Sequence, residues 1–532
     1  MMTVGESGSN MVDANMKINA ALQQQEEQQL DLMKVNYGLN NGLPVEAGEN
    51  KAEHEDLETK IGSTEMKDGE KLTMVRILSV SHNRRALLSA VPTLTLGIMG
   101  GAVLPVSWAF SVTGVVCGIV IMVLVAAANA YTSDMLLRQA HHTGSTDYES
   151  LALVTGGRWW KLTTEISIVV LLVGTIVGGI AQVGEAAAIG LTSIWPNTPA
   201  VFTSGSGRLL MAIATVFIIA PLCLVRRLRQ LEYAGMVGTA IVLWLMGAVV
   251  IDCSKHNFPA LRSHDLATVG FSSIGNVTQA ISIFGFAFYI QPIMMPLLLE
   301  MPKGKVGVKL ISWSTRIVVL VNAFIIYGAV GFFGAAYYGS NTEQNILVNQ
   351  WLGGGVAQGI LNLLMAVYLA IANPTIEFPT RHTIDGWIST SLIKNRLVRH
   401  LGETGTILGF SLMVALIWPS SSGNVLVVTG ATGVCMVSYI IPVVNHFLLF
   451  FSKAKCQKGT ANTTTTTTEE VTLEEGVGSG VLQQQPNVPM SYRNARKPGI
   501  LWLVLEYLEE ICLPLLVLVL GFFCSVAALT TL

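Results

Sequence analysis

Two apolar stretches of this chain are long enough to cross a bilayer, yet they carry glycine and proline where a plain membrane anchor carries leucine. One reads Leu94-Thr95-Leu96-Gly97-Ile98-Met99-Gly100-Gly101-Ala102-Val103-Leu104-Pro105. The other reads Ser282-Ile283-Phe284-Gly285-Phe286-Ala287-Phe288-Tyr289-Ile290-Gln291-Pro292, with Pro296 one turn on. Glycine weakens a helix interior by about 1 kcal/mol and proline by about 3. In hydrocarbon a broken helix strips backbone N–H and C=O groups of water, so irregular backbone persists only where protein, water or a ligand covers it. Two such interruptions at matching positions in two halves of a chain point to a central binding site between them.

The rest of the composition agrees with a membrane setting. Of 532 residues, 51% are hydrophobic and 12% charged, against about 25% charged in a typical soluble domain. A span needs about 20 mostly apolar residues. Eleven stretches qualify, at about 86–112, 114–137, 163–191, 208–225, 232–253, 275–299, 310–338, 355–378, 403–418, 424–451 and 511–531. The interruptions fall in the first and the sixth. The sixth comes five crossings after the first, an odd number, so the second half starts from the opposite face. The expected fold class is an all-α polytopic membrane protein with about eleven transmembrane helices. It is built as a five-plus-five inverted repeat with broken helices 1 and 6, plus an eleventh helix.

Orientation follows from the basic residues. With the N-terminus in the cytosol, inner loops hold Arg138, Arg158 and Lys161, then Arg226, Arg227 and Arg229, then Lys303, Lys305 and Lys309, then Arg381, Lys394, Arg396 and Arg399. Outer loops hold only Arg208, Lys255 and Arg262. The predicted organisation is a disordered cytosolic tail over 1–75 and a ten-helix transport core over 76–451. A flexible cytosolic linker with a threonine run follows over 452–498, then an interfacial segment and the eleventh helix over 499–532, which ends outside.

Several classes are excluded. No basic stripe with interleaved aromatics indicates nucleic acid. No nucleophile elbow, phosphate-binding loop, paired aspartates or HExxH occurs, so an enzyme is not expected. The seven cysteines are scattered and form no metal or disulfide framework. No cofactor is expected, and oligomeric state is left open.

The motifs resemble those of the amino acid/auxin permease family. Leu96 to Phe110 is similar to its glycine-rich opening, and Asp147-Tyr148-Glu149-Ser150-Leu151-Ala152 to its D-Y-x-x-L-A loop. Phe284 to Glu300 resembles its sixth-segment pattern, and Pro374 with Phe378-Pro379-Thr380-Arg381 its eighth-segment ending. The likeness covers about residues 80–450 and is nearest, among animal proteins, to the neutral amino acid carriers of solute carrier family 38. It implies a secondary transporter of neutral amino acids working by alternating access and driven by a proton or sodium gradient. Its partners would be a small-molecule amino acid and a coupling ion, and its setting the plasma membrane or a vacuolar or lysosomal membrane. The chain departs from the pattern at Ile98, where the family has glycine, and at Gln291, where it has histidine. Sodium-coupled members place an Asn in the first segment and a Thr in the eighth; here stand Thr93, Thr95 and Ala370-Ile371-Ala372-Asn373. Fewer hard oxygens weigh toward proton coupling or facilitated exchange. The alternative is a sensor with a carrier fold that signals through its N-terminal tail.

Candidate site residues follow from the interruptions. The predicted substrate contacts are Gly97, Ile98, Met99, Gly100 and Gly101 in the first break, and Phe284, Gly285, Phe286 and Ala287 in the second. A half-helix N-terminus suits a carboxylate, and free carbonyls suit an ammonium. The competing reading of the glycines is close helix packing. Thr95, Asn373 and Glu377 are the candidates for ion coupling. Glu377 and Arg381, four apart with the acid first, also suit a structural pair. Arg316 is expected to snorkel, and Glu185 to be a solvated residue at the mouth. Asn322 and Asn362 should bond across helices.

Overall fold

The computed structural model describes residues 90–224, 232–270, 273–299, 301, 305–388, 395–417, 422–451 and 508–530. The predicted tail, the 452–498 linker and most of the 499–510 piece lie outside these residues. Every regular element among the described residues is helical. We label α1 Ala90–Val103, α2 Val106–Thr113, α3 Val115–Thr143, α4 Tyr148–Ile194, α5 Gly207–Cys223, α6 Gly235–Arg262, α7 Ile274–Phe288, α8 Gln291–Leu299, α9 Lys305–Asn341, α10 Gly355–Asp385, α11 Leu397–Ile417, α12 Ser422–Phe451 and α13 Glu510–Thr530. Nine helical stretches among the described residues are long and apolar enough to span a membrane, or ten with α1 and α2 taken as one bent span; α5 is a shorter apolar helix. Together these account for each of the eleven stretches expected from the sequence.

The broken segments lie innermost. In the stretch Ile274–Leu298 83% of the apolar window is buried, against 17% in Glu510–Thr530. Thus α7 and α8 sit at the centre, and α13 stands at the rim, packed on α7 and α12. Large apolar side chains such as Leu124, Phe217, Phe324, Phe410 and Phe523 point outward. On a membrane protein that exposed belt is the lipid face rather than a docking patch.

With lipid as apolar as leucine, association rests on close packing, so small residues mark the contacts. Helices α4 and α10 run antiparallel in the largest interface of the bundle. A Cβ on Gly190 would sit 3.1 Å from Gly359 O, and one on Gly179 would sit 3.1 Å from Asn373 Oδ1. Helix α12 seats against α4 and α7 in the same way: a Cβ on Gly433 would lie 2.7 Å from Leu171 Cα, and one on Gly430 would lie 2.4 Å from Ser282 O. Gly157, at φ 79°, kinks α4 near its start and lets its first turns lie apart from the long remainder.

Candidate functional site: two broken helices around a closed cleft

The first break has a proline at its root. Pro105 has no N–H, and its ring excludes the carbonyl of the residue four before it, Gly101. The chain tightens into a 3-10 turn over Gly100–Val103, with Gly100 at φ +27°, and α1 and α2 meet at a 56° bend. Gly101 lies directly under the end of Gln182: a Cβ there would stand 1.7 Å from Oε1, so a side chain at 101 would displace that amide.

The second break corrects the sequence reading, which placed it over Phe284 to Ala287. Those residues are regular helix, and α7 runs on to Phe288. The chain extends at Tyr289 (φ −67°, ψ 132°) and restarts as α8 at Gln291. The cause is again a proline: Pro292 cannot donate and excludes the carbonyl of Phe288, four residues back. Gly285 marks no break; a Cβ there would sit in ordinary contact with Tyr439, 3.5 Å from its hydroxyl. All three phenylalanines are buried, and none faces lipid. Phe284 meets Phe110 edge-on at 5.7 Å, and Phe288 meets Tyr327 at 5.3 Å.

The two broken segments touch. A Cβ on Gly97 would lie 2.8 Å from Ile293 Cδ1 and 3.6 Å from Thr375 Oγ1. Their backbone groups are largely covered by side chains, a refinement of the expectation that they stand bare. Gln182 Nε2 donates to Gly101 O at 3.0 Å, and Tyr327 donates its hydroxyl to Ile98 O at 3.3 Å. Ile290 N donates to Gln291 Oε1 at 3.0 Å. Gln291 is fully buried; its amide also donates to Thr132 at 3.1 Å and accepts from Ser438 at 2.8 Å. This amide, at the position where the resembled family has histidine, ties the second break to α3 and α12.

Between the breaks, α4 and α10 enclose a cavity of about 10 Å³, room for one water molecule. Of the predicted substrate contacts, Gly100, Gly101 and Phe286 line it, as does Asn373, a candidate for ion coupling; Thr175, Gly179 and Gln182 of α4 complete the polar side. Gly97, Ile98, Met99, Phe284, Gly285 and Ala287 support the breaks from behind. Thr95 is buried in α1, outside the lining. Thr175, Gly179 and Gln182 were missed, although a signal was present: Thr175 and Gln182 lie seven apart on one face of the otherwise apolar stretch 168–184, and intramembrane polar residues are costly enough to suggest function.

Opposite ends of the bundle differ. Beyond Gln182, three residues along α4, Glu185 borders a cavity of about 340 Å³ with Thr192, Thr203 and Val348. Glu185 is half-buried rather than a solvated mouth residue. It accepts from Asn345 Nδ2 at 2.8 Å and from the Ser422 hydroxyl at 2.8 Å. The other end is clasped shut. Glu377, 1% exposed, pairs with Arg381 at 3.0 Å and accepts from Thr404 at 2.9 Å, and Arg381 donates to Cys223 O at 2.9 Å. Nearby, Thr383 donates to Glu149 at 2.5 Å, Trp387 to Glu165 at 2.9 Å, and Arg399 pairs with Asp385 and Glu403. Arg316 does not simply snorkel; it pairs with Asp134 of α3. Asn362 bonds to Leu347 O at 3.5 Å, whereas both amide atoms of Asn322 lack a partner among the described residues. No group of metal-ligating side chains occurs among the described residues.

Residues 84–469 match the family described as transmembrane amino acid transporter protein. Relatives include the zebrafish (Danio rerio) sodium-coupled neutral amino acid symporter 2, 23% identical over 65% of this chain and 72% of that protein. They also include the Arabidopsis thaliana amino acid transporter AVT6E, 24% identical over 68% of this chain and 76% of that one. Among solved structures, a manganese transporter of Eremococcus coleocola aligns at TM-score 0.41 and 10% identity over 84% of this chain and 96% of its own.

Proposed function

Because this chain belongs to the transmembrane amino acid transporter family, we propose that it carries neutral amino acids across its membrane by alternating access, holding the substrate between its two broken helices. It is a multi-pass integral membrane protein of a transporter family, not an enzyme. The observation that carries the reading is a cleft at the first break, lined also by Phe286 just ahead of the second and flanked by α4 and α10, with a wide cavity toward one end and a polar clasp at the other. A cleft of about 10 Å³ is too small for any amino acid, so the substrate must part the walls. The wide end is where it arrives, and opening the clasp is how it leaves.

Several features are part of the same proposal. Basic loops put the N-terminus and the clasp in the cytosol. Gly100, Gly101, Phe286 and Asn373 contact the substrate. Glu377 braces the clasp rather than carrying a proton, since its partners already hold both carboxylate oxygens. Transport runs on a proton gradient or as exchange: where the resembled sodium-coupled carriers have an Asn in the first segment and a Thr in the eighth, this chain offers Thr93 and Thr95 but no Asn, and Ala370-Ile371-Ala372-Asn373. Uptake of labelled neutral amino acids into proteoliposomes tests the reading. A pH step should drive uptake. Flat traces for all common amino acids would refute transport, and sodium-driven, pH-insensitive uptake would refute the coupling.

A further inference from the structure

Two amide oxygens in the cleft have nothing to accept. Gln182 and Asn373 are 1% and 2% exposed, and no donor among the described residues reaches Gln182 Oε1 or Asn373 Oδ1. Their orientations are set by their other halves. Gln182 Nε2 donates to Gly101 O at 3.0 Å, and Asn373 Nδ2 donates to Leu369 O at 2.8 Å. Rotating either amide would press oxygen against oxygen, so both acceptors are held facing the same cavity. An unmet buried acceptor costs about 1–3 kcal/mol, and two on residues lining one cavity in a membrane interior call for a ligand that donates.

Resting on the transport reading, we infer that Gln182 and Asn373 form the clamp for the substrate's ammonium group. The Gly101 carbonyl does not fill that role in this state, because it already accepts from Gln182 Nε2 and from Leu104 N at 3.3 Å. An ammonium brings three donors and is about the size of the water the cavity admits. A carboxylate has only acceptors and would be repelled. Calcium or magnesium would need about six or more oxygens, and the remaining lining is mostly apolar, with Phe286, Leu369, Ile376 and Leu426. Gly179 has a matching reason to lack a side chain, since a Cβ would press on Asn373 Oδ1 at 3.1 Å.

The test compares a transported amino acid with its desamino acid, in which hydrogen replaces the amino group, as competitors for uptake by the full chain. Charge-assisted bonds of this kind set an expected preference for the amine of about tenfold or more per bond. Gln182→Met and Asn373→Leu should each lose about that factor in affinity for the amino acid, leave the desamino acid unchanged, and leave half-saturation by the coupling ion unchanged. Asn373→Leu gives up only a bond to Leu369 O of its own helix, so it carries the test in the case in which Gln182→Met fails to fold. Amine preference intact in both apolar variants overturns the inference, as does a shift confined to ion half-saturation, which would make this an ion site. A wild type that carries no amino acid refutes the transport reading itself, a separate result.

Discussion

Removing Arg381 should damage this protein more than any other single charge change among the described residues. Its guanidinium lies 3.2 and 3.0 Å from the two carboxylate oxygens of Glu377, 3.2 Å from Thr404 Oγ1 and 2.9 Å from Cys223 O. In Arg381→Met, Glu377 keeps only the Thr404 hydroxyl while 1% exposed. Stranding one member of a buried pair costs about 3–5 kcal/mol. The carbonyl of Cys223 also loses a donor, which adds about 1 kcal/mol. In the double variant Glu377→Met with Arg381→Met no charge is stranded. Replacing a whole buried pair with apolar side chains is neutral or stabilising by about 1–4 kcal/mol, so most of the loss should return. The assay is heat-induced unfolding of the detergent-purified full chain, with the wild type, both single variants and the double forming a cycle. Arg381→Met should unfold at the lowest temperature, with the double near wild type. A double variant no better than Arg381→Met would refute the assignment of a desolvated pair. A stable double variant that transports without its coupling gradient would show Glu377 to be a coupling residue and not a brace.

Other expectations follow from the same geometry. Arg316→Ala should change stability by less than about 1 kcal/mol in the same unfolding assay, because Arg316 is 51% exposed in its pair with Asp134. Gly430→Ala should prevent normal assembly of α12 on α7, since the new Cβ would meet the Ser282 carbonyl at 2.4 Å and backbone cannot step aside; size-exclusion profiles would show it as aggregated protein. Gln291→Leu strands the Ile290 N–H and the Ser438 hydroxyl and should cost about 1–3 kcal/mol, whereas Gln291→Glu, which still accepts from both, should lose less. In Gly101→Ala the added methyl meets only the end of Gln182, a movable group. That variant should fold and reach the membrane but take up amino acid poorly; normal uptake would put the substrate elsewhere.

The apolar helices were legible because each depends on a local quantity, the free energy of moving about 20 residues into lipid. The first break was legible for the same reason: Gly100-Gly101 and Pro105 disrupt a helix whatever surrounds them. The second was misplaced by a few residues because Gly285 was weighted over Pro292. The proline's exclusion of the carbonyl four residues earlier is also a local rule, and it would have found Tyr289 and Ile290. Nothing in the sequence paired Asp134 with Arg316, 182 residues apart, or set Glu185 between Asn345 and Ser422.

The sequence by itself determined that the chain is a bundle of membrane helices with two broken ones, since hydropathy and proline chemistry act within a single turn or a single span. Only the tertiary structure decided what meets at the breaks. Gln182, Asn373 and Phe286 reach one cleft because glycines on α4, α10 and α12 let those helices approach closely. Which side chains fill the backbone's missing bonds is then a matter of non-local packing, and spacing along the chain does not encode it.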